Sequence, residues 1–140
     1  MSISVDIVTP ERRVLQTQAD SVVVPAADGE LGILANHTPL VAELKSGQIR
    51  MRAGEKTEFF AVSGGFVEVQ NNHVAVMAET AEMAHEIDVE RARQAAERAK
   101  AALRAPVGTV DLAQAQASLL RALARLRAVE AARAHRRPNP

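Results

Sequence analysis

The chain contains no cysteine, no tryptophan and no tyrosine, and only three phenylalanines among its 140 residues. Without cysteine there is no disulfide framework, no thiolate nucleophile and no thiolate metal site, and a reducing compartment is compatible with the composition. Metal ligation would fall to His37, His73, His85 and His135, which are too scattered to place two ligands on one strand or helix face. No resident metal is expected. Long apolar runs are missing as well. Asp6, Glu11, Arg12 and Arg13 interrupt the beginning of the sequence before a signal-peptide core can form, and no stretch approaches a membrane span. A soluble protein with no direct membrane insertion is the expectation.

Charge of one sign is not in excess, since 17 Lys+Arg balance 17 Asp+Glu. The balance hides a gradient: residues 1–85 carry −5, residues 86–110 carry +1 and residues 111–140 carry +4. The basic end brings together Arg121, Arg125, Arg127, Arg133, Arg136 and Arg137. Nucleic acid is a poor fit for them, because no aromatic side chain lies nearby to stack on bases and no recognised module surrounds them. A solvated helix face or docking on an acidic protein surface is expected instead.

Catalytic motifs are absent too. The sequence holds no P-loop, no nucleophile elbow and no dinucleotide fingerprint. Ser63-Gly64-Gly65-Phe66 is glycine-rich, but an apolar strand follows it, so the helix N-terminus that would hold a phosphate is missing. A tight turn or bulge is the expected use of these glycines.

What is present falls into two halves with different periods. From Ser2 to Ala78, short β-branched runs alternate with turn signals every eight to twelve residues. Ile3, Val5 and Ile7 alternate with polar neighbours, Val22–Val24 ends at Pro25, and Asp28-Gly29 makes a turn. Strands over Leu40–Leu44, Ile49–Arg52, Phe59–Val62, Phe66–Val69 and Val74–Ala78 complete the series. After Ala78, alanine replaces valine and glycine disappears until Gly108. Asp88 is suited to cap a helix running to about Arg104, with Val89, Ala92, Ala96, Ala99 and Leu103 on one stripe. Ala105-Pro106-Val107-Gly108 breaks it. Asp111 and Gln114 have the spacing of a capping box for a second helix with a seam of Leu112, Leu119, Leu123 and Leu126, and the tail His135–Pro140 is expected to fray.

The predicted fold class is therefore α+β: an N-terminal antiparallel β-sandwich or flattened barrel over residues 1–85, then a C-terminal antiparallel two-helix hairpin over 86–140. The first helix offers mostly alanine methyls, each worth ~0.8 kcal/mol when buried, against ~1.5–3 kcal/mol for a leucine side chain. Alanine also makes each helix stable as a helix. Undocking of the hairpin is expected before melting, and a segment that stays helical while changing partners can act as a switch.

Four segments in this order carry a resemblance. They are Val8-Thr9-Pro10; Gly29-Glu30-Leu31-Gly32-Ile33-Leu34 with His37-Thr38-Pro39-Leu40; Ser63-Gly64-Gly65-Phe66-Val67-Glu68-Val69; and Ile87-Asp88-Val89-Glu90-Arg91-Ala92. Over nearly its whole length the chain resembles the epsilon subunit of bacterial F-type ATP synthase. The resemblance implies a noncatalytic central-stalk subunit of a proton-translocating complex, peripheral on the cytoplasmic face of the cell inner membrane. Its partners would be the gamma subunit, the membrane ring and the alpha and beta subunits of the catalytic head. It also implies that the loop around Glu30, Leu31 and His37 touches the ring and gamma, and that the C-terminal helix bearing Arg121, Arg125 and Arg127 inhibits ATP hydrolysis. No cofactor is implied, but ATP is a candidate regulatory ligand. The Ile/Leu-Asp-x-x-Arg-Ala motif of ATP-binding relatives is matched by Ile87, Asp88, Arg91 and Ala92, with Glu82, Arg121 and Arg125 in supporting positions. Gln114 stands where a further arginine would be. Asp88 and Arg91 read equally as a helix cap and a solvated arginine.

Overall fold

The computed structural model describes residues 1–136. Eight strands come first: β1 Ile3–Val8, β2 Arg13–Ala19, β3 Ser21–Ala26, β4 Gly29–Leu34, β5 Leu40–Glu43, β6 Gly47–Ala53, β7 Lys56–Gln70 and β8 His73–Met83. They form one hydrogen-bonded sheet in the order β2-β1-β8-β7-β6-β3-β4, with β5 added beside β7. The sheet folds over on itself because β7 and β8 are long and bent. Lys56–Val62 of β7 pairs with β6, whereas Phe66–Val69 pairs with β5. The same two strands thus run through both layers, and the result is a sandwich made from a continuous sheet.

The bend lies at Gly64 and Gly65, which have φ of 54° and 109°. No turn separates two strands here and the β7–β8 register does not slip, since Ser63 opposes Thr80 and Gly65 opposes Ala78. The expected turn or bulge is instead a corner within one strand. Glycine is required because a Cβ on Gly65 would run into the carbonyl oxygen of Met77. Other pairings are antiparallel, but β1 and β8 run parallel. Nearly the whole sandwich separates these two strands in sequence, so no tight hairpin constrains their direction.

Two strands differ from the sequence reading. β2 is a polar strand at one edge of the sheet, and β4, read as a loop, pairs with β3 across the Ala27-Asp28 turn to form the other edge. Edge strands need only half an apolar pattern, which is why neither stood out. Inward alternation is otherwise regular. Ile3, Val5, Ile7, Val22, Val24, Ile33, Ile49, Phe60, Val67, Val69, Val74 and Val76 fill a core that contains no residue from the helices.

After a 3-10 turn at Ala84–Glu86, helix α1 spans Val89–Leu103 and helix α2 spans Leu112–Arg136. The Asp88 carboxylate accepts from the Arg91 N–H at 3.1 Å, and Asp111 accepts from the Gln114 N–H at 3.1 Å, so both aspartates cap their helices; among the described residues the second lacks the reciprocal Gln114 side-chain bond of a capping box. Helix α2 packs against α1 and against β6 and β7. Its buried residues are Ala115, Ala122, Ala124, Ala128, Val129 and Ala132, not the expected leucine seam. Leu112 is 48 % exposed, and Leu119, Leu123 and Leu126 are half-buried. A helix pressed between a second helix and a sheet buries a wide arc, and alanine lets its backbone approach both. Of the tail expected to fray, His135 and Arg136 are helical, and residues 137–140 lie outside the described residues. A second, smaller core joins hairpin to sandwich: Phe59, Ala61, Ala84, Ile87, Ala92, Ala128, Val129 and Ala132.

Candidate functional site

Two regions gather the residues singled out by sequence. The first is the β4 edge and the segment after it. Alternation along β4 turns Ile33 into the core and leaves Leu31 half-buried against it, whereas Glu30 and Leu34 face outward. Leu31 thus packs part of its side chain on the core and keeps part at the surface, beside the exposed Glu30. His37 follows a left-handed Asn36 with φ of 62°. Its N–H donates to the Leu34 carbonyl at 3.1 Å, and its Nδ1 lies 2.6 Å from the Thr38 carbonyl oxygen. Elsewhere on the sandwich, Val41, Phe66 and Met77 are exposed apolar side chains on neighbouring strands. The alternation in β5 and β7 was visible, but which face would lack a cover was not.

The second region is the cleft between β8 and the two helices. A cavity of about 400 Å³ is lined by Glu82, Glu86, Ile87, Asp88, Arg91, Ala92, Ala95, Arg98 and Arg125. A neighbouring cleft of about 510 Å³ shares Ala95, Arg98 and Arg125 and adds Asp111, Gln114, Ser118 and Arg121 among others. Four of the five residues proposed for ATP, namely Glu82, Asp88, Arg91 and Arg125, thus meet in one cavity, and Arg121 borders the next. Arg127 is exposed and lines neither. Arg98 and Glu86 were missed, although Arg98 sits seven residues after Arg91, two helical turns along the same face.

Electrostatics in the cleft centre on Arg125. Its Nε donates to Glu82 Oε1 at 2.8 Å and its Nη2 lies 2.7 Å from the same oxygen. Among the described residues this is the one ion pair between a strand and helix α2. Arg121 donates from Nη2 to Ser118 Oγ at 3.1 Å. Beneath the two arginines, the buried Ser63 hydroxyl is hydrogen-bonded to that of Thr80. Arg91 and Arg98 have no carboxylate within ion-pair distance among the described residues, so the cleft presents free guanidinium groups suited to an anion.

A strand sandwich with its own complete core, carrying an alanine-rich hairpin on one side, defines a two-part α+β class, and comparison with known proteins gives the class a family. The family model for the ATP synthase delta/epsilon chain β-sandwich domain matches residues 2–84, and that for the delta/epsilon chain long α-helix domain matches residues 85–130. The ATP synthase epsilon chain of Desulforamulus reducens is 49% identical over 125 residues, covering 89% of this chain and 95% of that one. That of Symbiobacterium thermophilum is 49% identical over 129 residues, covering 91% and 93%. Among solved structures, a chain in the Euglena gracilis mitochondrial ATP synthase OSCP/F1/c-ring assembly superposes with a TM-score of 0.78 at 26% identity, covering 94% of this chain and 81% of that one. The chain belongs to the epsilon-chain family of ATP synthase. It is a subunit of that complex, and no helix among the described residues is long and apolar enough to cross a membrane.

Proposed function

We propose that this subunit is a noncatalytic part of the central stalk of a proton-translocating ATP synthase, peripheral on the cytoplasmic face of the cell inner membrane. Its sandwich contacts the gamma subunit and the membrane ring through the surface around Glu30, Leu31 and His37. Its helices leave the sandwich and engage the alpha and beta subunits of the catalytic head, where they restrain ATP hydrolysis. The observation that carries this reading is the separation of the two cores. The sandwich interior is complete without the helices, and among the described residues the junction buries only Phe59, Ile87 and Val129 as side chains larger than alanine, with Val89 and Leu126 partly buried against them. Undocking therefore leaves the stalk half intact. A chain ending at residue 86 should assemble normally and raise ATP hydrolysis by the complex several-fold. Unchanged hydrolysis with normal assembly defeats the inhibitory role.

A second function, as an ATP sensor, is supported by the cavity shared by Glu82, Asp88, Arg91 and Arg125. Its size falls in the ~300–1,000 Å³ range of small-molecule sites, and guanidinium groups recognise phosphate bidentately. A ligand held by both α1 and α2 binds only the docked hairpin and stabilises it by mass action. ATP would act there as a regulatory ligand, and no other cofactor enters the reading. Isothermal titration of the intact subunit with ATP is the test, and absence of heat at about millimolar ligand defeats it.

A further inference from the structure

We infer that Asn72 is a positioning residue for the His37 contact segment, which it ties to the sandwich from a distance in sequence. This rests on the reading that the surface around Glu30 and His37 meets a partner.

Asn71 and Asn72 form the two-residue turn between β7 and β8, with φ of 52° and 59° and with Gln70 opposing His73. Such a turn needs residues that tolerate the left-handed region, and asparagine does. Tolerance alone does not account for Asn72. Its Oδ1 accepts the Asn36 N–H at 2.8 Å, and its Nδ2 donates to the Ser2 carbonyl at 2.8 Å. Its own carbonyl accepts the Ser4 N–H at 3.1 Å. One residue thus joins three segments: the start of β1, the β7–β8 turn and the connection from β4 to β5.

The partners also fix which way the amide faces. A backbone N–H requires the oxygen and a carbonyl requires the nitrogen, so only a side chain with both can close the junction. Aspartate retains the acceptor for Asn36 and loses the donor for Ser2. Glycine retains the backbone angle and loses both.

The other hydrogen bonds of the connection between β4 and β5, from His37 to the Leu34 and Thr38 carbonyls, are local, and among the described residues only Asn72 ties it to another part of the sandwich. Asn36 is itself left-handed, Pro39 has no N–H, and neither Thr38 nor Pro39 belongs to a ladder. The bond from Asn72 reaches this segment just before His37. It orders the chain leading into His37 in the free subunit, so that docking does not have to.

The test uses ATP synthase stripped of this subunit and rebound with wild-type, Asn72→Gly or Asn72→Asp chains. Hydrogen exchange at Asn36 and across the sandwich provides the second readout. Expected results are rebinding about tenfold weaker for Asn72→Gly, with Asn36 losing protection while the amides of β3 and β6 keep theirs. Asn72→Asp should rebind more tightly than Asn72→Gly but less tightly than wild type, because the acceptor for Asn36 remains while the donor to Ser2 is lost. Wild-type rebinding by Asn72→Gly overturns the proposal, as does equal weakening of both variants. Loss of protection throughout the sandwich also overturns it, because the role would then be general stability. A parallel His37→Ala chain separates the two levels. If it too rebinds normally, the contact-surface reading has failed, whereas weak rebinding of His37→Ala beside normal rebinding of Asn72→Gly rejects the positioning role alone.

Discussion

Adjacent glycines at 64 and 65 look equivalent in sequence and are not. At Gly65, φ of 109° is outside the reach of other residues, and a Cβ would meet the Met77 carbonyl and the Ala78 backbone across the strand pair. Gly65→Ala should therefore destabilise the sandwich by ~2–4 kcal/mol, read as a shifted urea midpoint with an unchanged slope. At Gly64, φ of 54° lies in the ordinary left-handed region, and the nearest atoms belong to the flexible Glu79 carboxylate. Gly64→Asn should lose ~1 kcal/mol or less. Similar losses for the two variants would contradict a corner built on Gly65. The Glu82–Arg125 pair lies at the opposite energetic extreme. Both side chains are about one-third exposed, so screening limits the pair to ~1 kcal/mol or less. Glu82→Gln should loosen the hairpin slightly, seen as faster exchange at Phe59 and Ala61 with the main core unaffected.

Between elements, the decisive contact is alanine against sheet. Ala128 is fully buried in the junction core with Phe59, Ile87 and Val129. Replacing it by leucine overpacks the junction at ~1–3 kcal/mol, while leucine remains a good helix former. Ala128→Leu is expected to keep its far-ultraviolet helical signal and lose protection on the hairpin-facing side of β7. Loss of helical signal together with docking would mean that the helices melt when they leave. Both helices were legible in sequence because their ends have a local mechanism. Asp88 and Asp111 each cap an N–H three residues on, and Pro106 and Gly108 lie between them. The leucine seam was misread because one-dimensional periodicity assumes a single partner, and α2 has two. β2 and β4 were hidden because an edge strand can be polar on one side and unpaired along its rim. The long β7 looked like two strands because local glycine chemistry gives no sign of a continuous neighbour such as β8. Of the cleft, the motif from Ile87 to Ala92 could be read directly. Convergence of Glu82 and Arg125 across 43 residues depends on how the hairpin folds back, which no local pattern encodes.

For the molecule as a whole, the division of charge and the division of cores point the same way. Residues 1–85 carry −5 and residues 111–140 carry +4, so undocking separates oppositely charged parts of the chain, the Glu82–Arg125 pair among them. Apolar burial at the junction is small, which leaves this attraction a real share of the docking free energy. Sodium chloride should expose that share. Raising it from about 0.01 M to about 1 M shortens the screening length from ~30 Å to ~3 Å, while the apolar core of the sandwich is indifferent or slightly strengthened. Exchange at Phe59, Ala61, Ala128 and Val129 should accelerate with salt, and exchange at Ile3, Val22, Ile49 and Val74 should not. Under the proposed engagement of the catalytic head the balance has a second side, because a freed basic helix must then find another acidic surface, and that encounter is screened as well. Salt is therefore expected to increase hairpin opening in the isolated subunit more than it increases restraint of ATP hydrolysis in the complex. Hairpin protection that does not respond to salt would show that alanine packing alone holds the helices down, and the charge gradient would then bear only on where they go after release.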